Sequence, residues 1–395
     1  MTTDANPANP AGLAIWNLGF RPFFLGAGLF AAVGMALWLV VYGIGVPLYP
    51  PGVALTQWHA HEMLFGYTLA VIAGFLLTAV KNWTGLQTPH RAPLAGLFVL
   101  WLVARVANHS GAAMLAIGTA ADLLFNGLLI VAITLPVARS GQWKQMAVVG
   151  KLILLALLNV LFYLDAWDQF DRGAFFAVYG AFYTVLALIL MMMRRLIPFF
   201  VERGVDVKLK NSKFLDLASL VLFVELMISE LFGIWVGPTL WVAAALFVIH
   251  LVRLVMWYTP RIWRRPLLWS LYLAYAMIVA GFALFALTPW LGVPKLLALH
   301  AFAVGGMGIV TLGMMSRVSL GHTGRDLHEP PLLVAIGCVL VAGAALVRVI
   351  GPLVDAAHYT VWVDVSGGLW ILGFAGFAAA YAPILLRPRV DGRYG

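Results

Sequence analysis

The sequence predicts an all-α, polytopic membrane protein of twelve transmembrane helices with both termini cytoplasmic. Three observations carry that reading. The first is composition: 63% of the 395 residues are hydrophobic and only 10% are charged, with a mean hydropathy of +0.95. A soluble domain is about 45–50% apolar and about 25% charged. A folded chain of this size must leave a large area exposed, so the surface has to face lipid. The second is periodicity at the scale of the bilayer, where a spanning helix needs about 20 apolar residues. Such stretches recur near 23–46, 58–80, 93–109, 111–135, 147–164, 172–200, 214–235, 238–258, 267–288, 294–317, 331–350 and 365–386. The third is the placement of the basic residues. With twelve spans, 21 of the 25 Lys and Arg fall in loops or helix ends on one side. Only Arg105, Arg172, Lys295 and Arg348 fall on the other. One span more or fewer would scramble this pattern, and the positive-inside rule makes the basic side cytoplasmic.

In chain order, residues 1–22 read as a disordered cytoplasmic tail. They lack a basic region followed by an apolar core, so they do not read as a cleaved signal peptide. The first span would serve as the uncleaved insertion signal. The helical domain runs over 23–386, punctuated by Pro50-Pro51, Gly237-Pro238 and Pro330-Pro331, and a cytoplasmic tail follows over 387–395. The longest connection, roughly 201–213, leaves no room for a soluble domain. The one cysteine, Cys338, excludes an intramolecular disulfide and a Cys-based zinc or iron–sulfur site. The net charge of +9 reads as membrane orientation rather than nucleic-acid binding. No serine-nucleophile elbow, phosphate loop or pair of catalytic carboxylates is present, which excludes hydrolytic and nucleotide-driven classes.

Ionisable side chains inside spans are costly and default to function. Helix two opens Trp58-His59-Ala60-His61-Glu62-Met63, and helix ten opens Pro294-Lys295 and carries His300. Both run inward from the outer face. At 1.5 Å per residue, His61 and His300 share a depth roughly 5–10 Å below the outer boundary. Two imidazoles at one depth could ligate a haem iron axially. His59 and His61, two residues apart, point about 200° from each other. His59, Glu62 and Met63 share a face, and their nitrogen, oxygen and thioether donors could suit copper or cap a helix end at the interface. Arg105 and Arg348, near the outer ends of helices three and eleven, lie where haem propionates would emerge. Asp122 and Asn126 could pair with Arg105. His250 and Arg253 share a face of helix eight and read as an interhelical contact. Met307, Met314 and Met315 read as packing.

The two histidine-bearing helices also resemble each other. Helix two places His61, Gly66, Gly74 and Thr84-Gly85, and helix ten places His300, Gly305, Gly313 and Thr323-Gly324. The common pattern is H-x4-G-x7-G-x9-T-G. The copies are eight apart in helix order, which suits a four-helix unit repeated three times. Helix six would be a weak third copy without a histidine. This plan resembles the catalytic subunit of haem–copper oxidases in architecture only. That family has its His-x-His pair on helix ten and a single His on helix two, the reverse of this chain. Its copper ligands come from helices six and seven, which here offer Tyr179, Tyr183, Glu225 and Glu230.

Three segments closely resemble the NnrS family of bacterial membrane proteins. They are Gly19-Phe20-Arg21-Pro22-Phe23-Phe24, Trp58 to Gly85 (WHAHEMLFGYTLAVIAGFLLTAVKNWTG), and His300 to Arg325 (HAFAVGGMGIVTLGMMSRVSLGHTGR). The chain departs from the expected pattern at Lys81, where a Pro is expected, and at Tyr272, where a His is expected. The resemblance implies a haem- and copper-containing inner-membrane protein of nitric oxide metabolism and nitrosative-stress defence. The haem would be of b type. His59, His61 and His300 would be the metal-binding residues, with nitric oxide or a membrane electron donor as partner. A redox or nitric-oxide-handling activity would follow. The competing readings are a twelve-helix secondary transporter of a small solute or metal and a membrane scaffold.

Overall fold

A computed structural model describes residues 13–395, apart from Pro51, Trp235 and Val293. Residues 1–12 of the expected tail lie outside this set. Each of the twelve apolar stretches holds a helix. These are α1 (Phe20–Ile44), α2 (Leu55–Thr84), α3 (Ala92–Asn108), α4 (Leu115–Arg139), α5 (Met146–Ala166), α6 (Gly173–Val205), α7 (Lys213–Phe232), α8 (Val236–Met256), α9 (Pro266–Leu291), α10 (Lys295–His322), α11 (Leu332–Val354) and α12 (Tyr359–Leu386). No strand occurs among the described residues. Ten of the helices are long and apolar enough to cross a bilayer. The other two are α3, with 17 residues, and α7, which carries Lys213, Asp216, Glu225 and Glu230 in 20 residues.

Neither α2 nor α10 is α-helical throughout. Glu62–Thr68 in α2 and Ala301–Gly308 in α10 are π-helical. Each begins one residue after the motif histidine. Such segments concentrate at functional sites. The repeated T-G also has one structural meaning in both copies. Thr84 and Thr323 each donate to the carbonyl four residues back. Gly85 (φ 71°) and Gly324 (φ 75°) then turn the chain through a left-handed conformation that ends the helix.

The chain forms two compact units. The first comprises the chain to Val178, Met315–Leu333 and Phe374–Gly395. In it, the Phe20 amide donates to Thr78 Oγ1 at 3.1 Å, and Gly74 lets the Phe23 and Phe24 side chains of α1 lie directly on α2. Lipid is as apolar as a leucine side chain, so close packing and hydrogen bonds supply the association between helices. The buried Arg21 guanidinium donates to the carbonyls of Leu385 (2.7 Å) and Arg387 (2.8 Å), tying the start of α1 to the end of α12.

The second unit comprises Tyr179–Met314 and Val334–Gly373. Here α8 packs between α7 and α9. Phe282 of α9 is its aromatic hub, meeting Phe223, Phe302 and His250. Gly308 of α10 lies against Val341 and Trp370, and Gly337 of α11 against Leu312.

Candidate functional site

The first unit holds a buried polar centre on α2, α3, α4 and α5. Glu62 and Arg105 are each 2% exposed, and His61 and Asp122 are fully buried. Arg105 Nη1 donates to both carboxylate oxygens of Glu62, at 2.8 and 2.9 Å. Its Nη2 stands 2.6 Å from Asp122 Oδ2. The same Asp122 oxygen accepts from Tyr163 Oη at 2.9 Å and from Asn159 Nδ2 at 3.2 Å. Asn108 donates to Tyr163 Oη at 2.8 Å. Gly66 makes room for the guanidinium, because a Cβ there would lie 2.5 Å from the Phe30 ring and 3.0 Å from Arg105 Nη1.

His61 completes this centre. Its Nδ1 is 3.0 Å from Glu62 Oε1 and its Nε2 is 2.9 Å from Asn159 Oδ1. Since Asn159 Nδ2 is spent on Asp122, its oxygen is the face turned to the ring. Both ring nitrogens therefore face acceptor oxygens. Two carboxylates share one guanidinium at this centre, and hydrogen bonds from Asn108, Asn159 and Tyr163 meet their remaining oxygen capacity, as a buried ionic set needs. The ring also lies stacked on Phe162, centroids 3.8 Å apart.

That geometry tests the expected ligands against a haem. His61 does not fit, because an iron would have to displace Glu62 or Asn159 and part the ring from Phe162. The set expected for copper is divided between two sides of α2. The ring of His59 stacks on Trp38 at 4.1 Å, and Met63 reaches toward Gly34 of the same helix α1. Glu62 is committed to Arg105 on the other side. Among the described residues, no group of three or more His, Cys, Asp or Glu side chains is placed to hold a metal ion. Arg105, expected at a propionate, is engaged by the protein's own carboxylates, including the expected Asp122, while Asn126 donates to the Asp122 backbone carbonyl.

His300 and Arg348 lie in the second unit and do fit. His300 Nδ1 is 2.7 Å from the Leu296 carbonyl. A carbonyl only accepts, so Nδ1 carries a proton, as it does in many ligating histidines. Arg348 is 7% exposed and donates through Nη2 to Tyr359 Oη at 2.6 Å. Its Nη1 is buried without a hydrogen-bond partner, which suits a carboxylate not supplied by the chain. Depth agrees too. With Gly308 opposite Val341 and Leu312 opposite Gly337, α10 and α11 run antiparallel. Continuing that register brings His300 to the level of Arg348 and Val349.

His250 makes the expected contact between helices. Its Nδ1 is 2.6 Å from Tyr275 Oη, and its ring stacks on Phe282. Arg253 pairs with Asp216 at 2.9 Å, and so does Arg194 at 2.8 Å. Met307, Met314 and Met315 are buried in packing. Three members of the first polar centre escape a reading from sequence: Asn108, Asn159 and Tyr163. The available signal was Asn159, the only amide in α5, with Tyr163 one turn further on the same face.

A sequence model of the family described as NnrS protein matches residues 14–389. No curated protein matches the chain. The family match covers nearly the whole chain, from Ala14 ahead of α1 to Arg389 beyond α12, and the protein belongs to the NnrS family.

Proposed function

We propose that this multi-pass membrane protein binds a b-type haem through His300 and handles nitric oxide. The twelve helices would all cross a bacterial inner membrane, with both termini on the cytoplasmic, basic side. The observation that carries the haem reading is the buried Arg348 guanidinium, whose Nη1 has no hydrogen-bond partner among the described residues, near the level of His300 in the second unit. His300 would hold the iron and Arg348 a propionate. When bound, the haem would supply an iron site for a diatomic gas or for one-electron exchange with a membrane donor.

The chain's own residues do the positioning. The Leu296 carbonyl fixes the tautomer and the plane of His300. Tyr359 aims the Arg348 guanidinium. His59 and Met63, one turn apart on α2, would be the donors for copper, since Glu62 serves Arg105. His61 takes no part as a ligand in this reading.

The test is a reduced-minus-oxidised optical spectrum and a haem-to-protein ratio on purified full-length protein from haem-replete cells. His300→Ala is expected to remove the haem bands and His61→Ala to retain them. Protein that carries no haem would overturn the reading. The second reading is a secondary transporter, favoured by one observation: the Glu62–Arg105–Asp122–His61 set is the kind of intramembrane ionic group that transport sites use. Substrate-dependent uptake by haem-free proteoliposomes would support it.

A further inference from the structure

The end of the second unit that carries Val205, Lys213, Met256 and Pro266 presents two loops locked together. Arg261 Nη1 donates to the Val205 carbonyl at 3.1 Å and approaches that of Asp206 at 3.4 Å. Trp257 Nε1 donates to Asn211 Oδ1 at 3.0 Å. The Leu209 amide donates to Glu202 Oε1, which occupies one of the few acids nearby. The α6–α7 loop and the turn before α9 thus form one built surface.

Six cations stand on it: Arg203, Lys208, Lys210, Lys213, Arg261 and Arg264, all exposed. None makes an ion pair among the described residues, although Glu202 lies in the last turn of α6 and Asp206 just beyond it. Asp216, the next acid, is taken by Arg194 and Arg253. The cations lie within a few residues of the ends of apolar helices. Exposed aromatics flank them, with Phe214 76% and Trp263 52% exposed. Aromatic rings of this kind mark the headgroup level of a bilayer.

We propose that these two loops form a binding surface for anionic phospholipid headgroups. Unpaired cations at headgroup depth attract phosphodiester anions, and clusters of Lys and Arg just outside a spanning helix act in this way. The docked loops hold the cations in a fixed cluster, while Trp263 and Phe214 reach into the acyl boundary beside them. A polyanion in solution would gain the charge contacts but leave the aromatic rings without a partner. This inference is independent of the haem reading.

Native mass spectrometry of the full-length protein in detergent, titrated with phosphatidylglycerol or phosphatidylcholine, tests it by counting bound lipids at low and high salt. The wild type is expected to prefer phosphatidylglycerol by about fivefold or more at low salt, and to lose that preference as salt screens the cations. The variant Lys208→Gln/Lys210→Gln/Lys213→Gln/Arg264→Gln should bind both lipids equally, whereas Arg387→Gln/Arg393→Gln should behave as wild type. Equal binding of the two lipids by the wild type overturns the proposal. So does undiminished selectivity in the fourfold variant, or displacement of the lipid by millimolar glycerol phosphate, which would assign the surface to a free anion. If the fourfold variant loses its helical circular dichroism, the wild-type salt series decides: a preference that does not fall with salt overturns the proposal.

Discussion

A single nitrogen of Arg105, Nη1, stands 2.8 and 2.9 Å from the two carboxylate oxygens of Glu62, with both side chains all but sealed from solvent. Through Nη2 the same guanidinium reaches Asp122. The arginine thereby joins α2, α3 and α4 at one point, and Tyr163 and Asn159 bring in α5. In a medium where apolar burial does little to choose one helix neighbour over another, a charge set that is satisfied in only one arrangement selects that arrangement. Its net contribution to stability is small, because desolvation offsets the attraction, but removing one member leaves a stranded charge.

Glu62→Gln should therefore destabilise the protein by about 3–5 kcal/mol, read as a fall in the thermal unfolding midpoint in detergent. Arg105→Gln should do the same. The two changes together should cost less than their sum, with a coupling of about 1–3 kcal/mol. A coupling near zero would show that the two groups do not act as a pair.

Gly66→Ala should cost about 1–3 kcal/mol, because its methyl group would overlap the Phe30 ring and crowd Arg105. Gly127→Ala is the matched control. Nothing stands within 4 Å of a Cβ built at that position, so the substitution should be neutral or gain a few tenths of a kcal/mol from helix propensity. Equal effects on the unfolding midpoint would mean that Gly66 is not where the packing is tight.

The contrast between the two glycines also marks what the sequence could reveal. All twelve helical stretches were legible, because length and hydropathy are local properties. The end of α6 was not: the apolar stretch ends near 200, but the helix continues past Pro198 to Val205, carrying Arg203 over the Phe199 ring. The π-helical segments were not legible either. In the α2 segment the Gly66 carbonyl accepts a tertiary bond, from Trp101 Nε1 of α3 at 2.9 Å. The common depth expected for His61 and His300 rests on the fixed rise per residue alone. Direction could not be read, because the partner that claims His61 Nε2 is Asn159, 98 residues away. His300 Nδ1 instead bonds within its own helix, to the carbonyl four residues back.

If Arg348 serves a haem propionate, Arg348→Gln should weaken haem retention by about tenfold or more, the cost of a lost charge-assisted hydrogen bond of about 1.5–3 kcal/mol. Tyr359→Phe, which only frees the guanidinium, should have a smaller effect. The rate of haem transfer to excess apomyoglobin measures both. An unchanged rate for Arg348→Gln would remove Arg348 from the site while leaving His300 untouched.

The segment after α12 offers a pH effect outside the membrane. The Arg389 guanidinium hydrogen-bonds to Asp391, which holds that carboxyl well below the usual carboxylate range. Arg389 Nη1 also donates to the His322 carbonyl at 2.8 Å, and the Val390 amide to that of Thr323 at 3.2 Å. A carboxyl whose pKa is lowered by folding stabilises the docked segment fully above its ordinary value, about 4, and loses that contribution as pH falls toward its folded value. Protection of the Val390 amide against hydrogen exchange, corrected for the intrinsic rate, should therefore hold at pH 7 and decline in acid. Asp391→Asn should show the acid behaviour already at pH 7. The pair is exposed and screened by salt, so the global unfolding midpoint should not move with either change. A shift in that midpoint, or Val390 protection indifferent to Asp391→Asn, would mean that something other than this ion pair holds the segment against the end of α10.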